Sequence, residues 1–200
     1  AEGLSTCRTA FVRLPSPAEP DPGADSPFGA CVVGNPDLEI PRMKALGIRH
    51  VRVHGAQVKW FNVEPTPGTY EWPADAMLEN LAQSGLNLLP YTGWWQQRKP
   101  FQAAHNPYVP NDFDAYRQYS EALAARYGGT IDEWEVWNEP FFHMNAADYS
   151  RTLQAAYNGL KKGNPDCRVT GVSGARTRHE AFIEQVLKQT KGACLDALGR

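Results

Sequence analysis

The sequence predicts an α/β fold in which strands and helices alternate strictly, the pattern of a parallel sheet with helical crossovers. Three observations carry that reading: apolar strand-like runs, amphipathic helical stretches between them, and a glycine after each helix. Strands are expected near 28–33, 50–54, 87–92, 131–137 and 168–172, and helices near 38–46, 74–84, 113–127, 147–162 and 180–191. In the fourth helix Tyr149, Leu153, Ala156, Tyr157 and Leu160 recur at the 3.6-residue period and share one face. Gly47, Gly85, Gly128, Gly163 and Gly192 each stand where a helix should stop, and glycine accepts the left-handed conformation of a helix C-terminus. Pro41, Asp75, Asp112 and Asp148 occupy first-turn or capping positions.

Doubly wound sheets and closed barrels both fit this alternation. After the first strand, Val33-Gly34-Asn35-Pro36 is no Gly-rich dinucleotide fingerprint, which tilts the reading toward a barrel. The complete units occupy about 165 residues, whereas a whole (β/α)8 barrel takes about 250. The fold class is therefore read as the N-terminal portion of a (β/α)8 TIM barrel, about five βα units, with Leu195-Asp196-Ala197-Leu198 opening a sixth strand. Residues 1–27 hold Pro15, Pro17, Pro20, Pro22 and Pro27 among few apolar residues and read as a linker or the tail of an upstream domain. Residues 28–200 are assigned to the barrel portion.

A net charge of −2 gives no general basic field for nucleic acid. No apolar run approaches the ~20 residues a membrane span needs. Ala1-Glu2-Gly3 does not open a signal peptide, but a leader is removable. The compartment is left open, with a secreted or periplasmic one favoured. Cys7, Cys31, Cys167 and Cys194 match no metal-ligand spacing. Cys167 and Cys194 open neighbouring strands at the same end of the sheet, about 4.8 Å apart, and are expected to form a disulfide, with two free buried thiols as the alternative. No cofactor and no metal are expected.

The stretch richest in chemistry is Ile131-Asp132-Glu133-Trp134-Glu135-Val136-Trp137-Asn138-Glu139-Pro140. Alternation along a strand places Glu135, Trp137 and Glu139 on one face. If that face is the barrel interior, Glu139 emerges at the C-terminal mouth, where barrel active sites are built. A carboxyl beside the Asn138 amide suits sugar chemistry: the acid protonates a leaving glycosidic oxygen while the amide holds a ring hydroxyl. Glu135, deeper in the interior, needs a partner and is expected to pair with Arg52 or another interior group. His54 has the parity of Arg52 and sits at the mouth end of strand two. Tyr91, Trp94 and Trp95 end strand three, where an aromatic face can wall a sugar subsite or simply pack the core. His143 follows Pro140 on the loop beside Glu139. Trp60 and Trp72 are read as pins for the long loop after strand two.

Trp137-Asn138-Glu139-Pro140 closing a fourth strand resembles the fourth strand of the retaining clan-A (β/α)8-barrel glycoside hydrolases, whose two glutamates lie on strands four and seven. The likeness is nearest to the family 39 type, β-xylosidases and α-L-iduronidases. Three other stretches are similar to theirs: Leu46 through Arg52, Trp60-Phe61-Asn62-Val63-Glu64-Pro65 through Trp72, and Leu195 through Leu198. The resemblance implies Glu139 as acid/base, Asn138 as partner to a sugar hydroxyl, and Arg52 as support for a nucleophile that lies C-terminal to this chain. It implies a carbohydrate substrate cleaved by a retaining two-carboxylate mechanism, and a chain that needs the remaining C-terminal part of the barrel. The alternative is a non-catalytic carbohydrate-binding protein, or an inactive fragment, on the same scaffold.

Overall fold

The computed structural model describes residues 29–32, 36–54, 58–93, 100–174 and 177–199. The expected linker over 1–27 lies outside the described residues, as do Trp94, Trp95 and Cys7. Strands β1 (Gly29–Val32), β2 (His50–Val53) and β3 (Asn87–Pro90) pair in parallel in that order. Strands β4 (Glu133–Glu135), β5 (Arg168–Gly171) and β6 (Ala197–Leu198) do the same. A parallel bridge between Tyr91 and Glu135 joins the two groups, with Thr92 N–H donating to the Glu135 carbonyl at 2.9 Å. The strand order is thus 1-2-3-4-5-6. A doubly wound sheet would reverse direction at a switch point. Sequential parallel neighbours with helices between them are the N-terminal part of a (β/α)8 barrel.

Each crossover carries a helix: α1 (Pro36–Ala45), the single turn α2 (Trp60–Val63) followed by α3 (Asp75–Gln83), α4 (Phe113–Tyr127), α5 (Ala146–Gly163) and α6 (Glu180–Thr190). Their inner faces cover the outward residues of the strands, so Val51, Val53, Leu88, Trp134 and Val169 are buried. The register places Cys31, Arg52 and Leu89 side by side on the opposite face, and Glu135 beside Thr170. This inward layer points at the barrel axis.

Of the four residues expected at first-turn or capping positions, Asp75, Asp112 and Asp148 take them and Pro41 does not. Asp112 accepts hydrogen bonds from the Asp114 and Ala115 N–H groups at 2.9 and 3.0 Å, as an N-cap should. At the start of α5 the cap is Asn145, and Asp148 instead receives the Asn145 amide at 2.9 Å. Asp75 begins α3 without capping it and binds Arg126 and Tyr127. Pro41 lies inside α1, not at its start. Gly163, expected as a C-cap, has another function: a Cβ there would sit 2.2 Å from the Glu121 carbonyl oxygen, and one at Gly159 would sit 2.1 Å from that of Arg117. Two glycines four residues apart are one turn of α5, and they let it lie directly on the backbone of α4.

The long loop after β2 is pinned as expected. Trp60 is fully buried against Phe101, Tyr116 and Tyr119, and its indole N–H donates to Glu64 at 2.6 Å. The other Glu64 oxygen takes the Gly68 N–H at 2.6 Å, so a buried carboxylate closes the loop on itself. Tyr116 donates or accepts across 3.1 Å to Thr92, and burial pushes its hydroxyl up to about 12. The expected disulfide is not formed. Cys167 and Cys194 are free, buried thiols, and burial raises the pKa of each. The alternative of two buried thiols is the one the fold contains.

Candidate active site

At the C-terminal ends of the strands a hollow of about 300 Å³ is lined by Arg52, Leu89, Glu135, Asn138, Glu139, Thr170, Ser173, Gly174 and Gly199. A larger hollow of about 620 Å³ lies along the N-terminal halves, among Gly29, Cys31, His50, Asn87, Leu89 and Arg168. Barrel interiors at that depth are filled by layers of side chains, and chemistry sits at the C-terminal face. The smaller hollow is therefore the candidate site.

Its floor is an ion pair. Arg52 donates from Nε to Glu135 Oε2 at 2.6 Å and from Nη2 to Oε1 at 2.5 Å, a bidentate fork. Glu135 is buried, and the interior partner expected of it is Arg52. Burial works against the Arg52 charge, but the hydrogen bond and charge of Glu135 outweigh it and raise the Arg52 pKa. Arg52 Nη2 also donates to Asn138 Oδ1 at 2.6 Å. With its oxygen engaged, the Asn138 amide turns Nδ2 outward, 3.4 Å from Glu139 Oε2. One chain of contacts thus runs Glu135–Arg52–Asn138–Glu139 from the interior to the mouth.

Simple alternation does not produce this arrangement. Trp137 is fully buried at φ 70° and is not among the residues lining the hollow that Glu135 and Glu139 share. The left-handed residue resets the parity of the strand, so Asn138 and Glu139, which is itself at φ 48°, both reach the hollow. A bulky residue at positive φ is costly and persists only where the surroundings demand it. Here they do. The Trp137 indole lies across Gly93, where a Cβ would come within 2.1 Å of the ring, and Asn138 N–H donates to the Gly93 carbonyl at 2.7 Å.

The neighbouring strand carries a matching kink at Val172, φ 57°. Tyr149, fully buried on α5, ties the two together: its hydroxyl donates to the Val136 carbonyl and accepts from Val172 N–H, both at 2.8 Å. Asn138 then bridges to Ser173. We expect Tyr149→Phe to destabilise the protein by about 2–4 kcal/mol, because a buried carbonyl and a buried N–H each lose their partner. Urea unfolding measures this, and a change below about 0.5 kcal/mol, the level of a neutral surface substitution, would refute the bracket.

The remaining sequence-derived residues divide. Tyr91 is buried under Arg52, whose guanidinium lies 4.6 Å from the ring centroid, so it supports the floor and offers no open platform. His54 is half-buried with its ring edge-on to Tyr91, centroids 5.5 Å apart. Burial and then the charges of Arg52 and Lys59 lower its pKa, against a smaller pull from Glu135. His143 stacks on Tyr108 at 4.4 Å and is held by Asn106, which donates to its carbonyl at 2.8 Å. Burial lowers its pKa while the Glu139 charge acts in the opposite sense. Trp94 lies outside the described residues. Sequence reasoning missed Tyr149, Ser173 and Gly174. The buried Ser173 hydroxyl has no hydrogen-bond partner among the described residues. Nothing in a lone Ser-Gly after a strand flags it. Among the described residues no cluster of His, Cys, Asp or Glu is arranged to hold a metal ion.

A parallel (β/α)8 portion with a glutamate and an asparagine at the mouth of its fourth strand is the arrangement that the resemblance to barrel glycoside hydrolases implies. The chain belongs to glycosyl hydrolase family 10, whose pattern matches residues 28–160. No curated protein matches. Among solved structures, the chain is similar to a family 39 glycoside hydrolase from Bacteroides cellulosilyticus, with TM-score 0.67 and 24% identity over 85% of this chain and 36% of that one. A Thermobacillus composti family 10 xylanase gives 0.63 and 19%, over 85% and 55%. Native xylanase 10B from Thermotoga maritima gives 0.59 and 12%, over 86% and 58%. These identities carry the fold alone. They show the (β/α)8-barrel fold that the resemblance at Trp137–Pro140 implies. The chain spans less than two thirds of each of those structures.

Proposed function

We infer that this chain is the acid/base half of a retaining glycoside hydrolase acting on β-linked carbohydrate. The observation that carries the reading is the polar chain Glu135–Arg52–Asn138–Glu139, which ends at the barrel mouth with a half-buried carboxyl and an oriented amide. Glu139 protonates the glycosidic oxygen as the bond breaks and later takes the proton from the attacking water. Asn138 Nδ2 donates to a sugar hydroxyl, and Arg52 holds that amide in place from below. The nucleophile, supplied C-terminal to this chain, forms the glycosyl intermediate from about 5–5.5 Å away, too close to admit a water between the carboxyls. In this reading His54 and His143 are further substrate contacts. Family 10 membership and the xylanases among its structural neighbours make xylan and aryl β-xylosides the first substrates to test. The mechanism is tested with full-length enzyme, by following the anomeric proton of the first product by NMR. A β-configured product is expected. An α-configured first product would mean inversion and would overturn the two-step reading.

A further inference from the structure

Just beyond β5 the chain runs Val172-Ser173-Gly174, and Gly174 has φ 75°. A Cβ built on Gly174 would lie 2.7 Å from Glu139 Cγ, 3.6 Å from its Cδ and 3.5 Å from Oε1. No heavy atom other than those of Glu139 is among its nearest contacts. The carboxylate side chain of one strand therefore rests on the bare backbone of the next. The two strand ends are locked in register above Tyr149 by the Asn138–Ser173 bridge.

We propose that Gly174 is a positioning residue for Glu139, its missing side chain forming the seat that holds the acid against the leaving-group oxygen. This rests on Glu139 being the acid/base. The physical consequence is specific. A side chain at 174 meets the middle of a half-buried glutamate, whose χ angles can change rotamer. The clash is relieved by moving the carboxyl, so the loss appears in catalysis more than in folding. General acid catalysis is steep in geometry, and displacement by about 1 Å can cost up to 10²-fold.

Backbone conformation is a confounding factor, because any L-residue at positive φ is strained. Gly85 supplies the control: its φ is 77°, and a Cβ there meets nothing within 4 Å. We expect Gly174→Ala in the full-length enzyme to lower kcat/KM for aryl glycosides with poor leaving groups about 10–100-fold. The glycosylation step with activated leaving groups should change less than about threefold, since such groups depart without a proton. Gly85→Ala should lose a similar amount of thermal stability with unchanged kinetics. Gly174→Asn keeps the added Cβ but tolerates the left-handed backbone, so it should be more stable than the alanine variant and equally impaired. If Gly174→Ala behaves like Gly85→Ala, loses both substrate classes equally, or is rescued by Asn, the seat is refuted. Glu139→Gln run alongside separates the two ideas. If it loses poor leaving groups selectively while Gly174→Ala does not, only the seat fails; if it shows no leaving-group dependence, the acid assignment fails and the seat with it.

Discussion

Replacing Glu139 by glutamine in the full-length enzyme is expected to cut turnover of glycosides with poor leaving groups by about 10²–10⁴-fold, the usual contribution of a positioned general acid. The substitution is nearly isosteric. It retains an atom at the Oε2 position that the Asn138 amide approaches at 3.4 Å, and it leaves the Arg52–Glu135 fork untouched. The pocket should therefore keep its shape and its affinity, with KM for such substrates changed little. What disappears is the proton delivered to the departing oxygen. Activated aryl glycosides need no such proton and should suffer far less in the glycosylation step, measured as the pre-steady-state burst. Their deglycosylation will slow, because the same residue must activate water, and small external nucleophiles such as azide should restore that step. Equal losses for both substrate classes in the burst would assign Glu139 a structural function instead of an acidic one.

Residues 1–200 expressed alone are expected to show no glycosidase turnover, although Glu139 and Asn138 are both present. A retaining mechanism needs a second carboxylate to form the covalent intermediate. Among the described residues, the carboxylate that shares the hollow with Glu139 is Glu135. Its two oxygens are committed to Arg52 at 2.6 and 2.5 Å. Freeing it for attack would break a bidentate, largely desolvated ion pair, which costs about 3–5 kcal/mol when such a pair is fully buried. Among the described residues β1 and β6 each have a strand neighbour on one side only, leaving edges that a closed barrel would cover. The isolated chain should therefore aggregate, or gain solubility only with the partner segment that completes the sheet. An assay against a panel of aryl β-glycosides decides the matter. Turnover that vanishes with Glu139→Gln would show that a sufficient site exists within these residues and that the nucleophile is misplaced.

The alternation of strands and helices was legible in the sequence because each unit has its own periodicity and punctuation. A 3.6-residue stripe on α5 and a glycine after α3 are local features, and local features survive in one dimension. The place of Asn138 and Glu139 at the barrel mouth was legible for a similar reason, since they close the fourth strand and a barrel strand ends at the C-terminal face. That Glu135 needs an interior partner followed from the cost of burying a lone carboxylate, and the structure shows that partner to be Arg52. Tertiary structure decided what those rules do not reach. Strand parity holds only while every residue stays in the β region, and left-handed Trp137 and Val172 break it at the positions where the site is assembled. Those conformations are imposed by long-range contacts: the Trp137 ring over Gly93, and one tyrosine hydroxyl joining Val136 to Val172. Tyr91 became floor and Gly163 became a helix contact through the same kind of contact. The sequence by itself determined which groups are available for chemistry. Only the packed structure set where they stand, because a backbone dihedral unfavourable to its own residue is held by neighbours dozens of positions away.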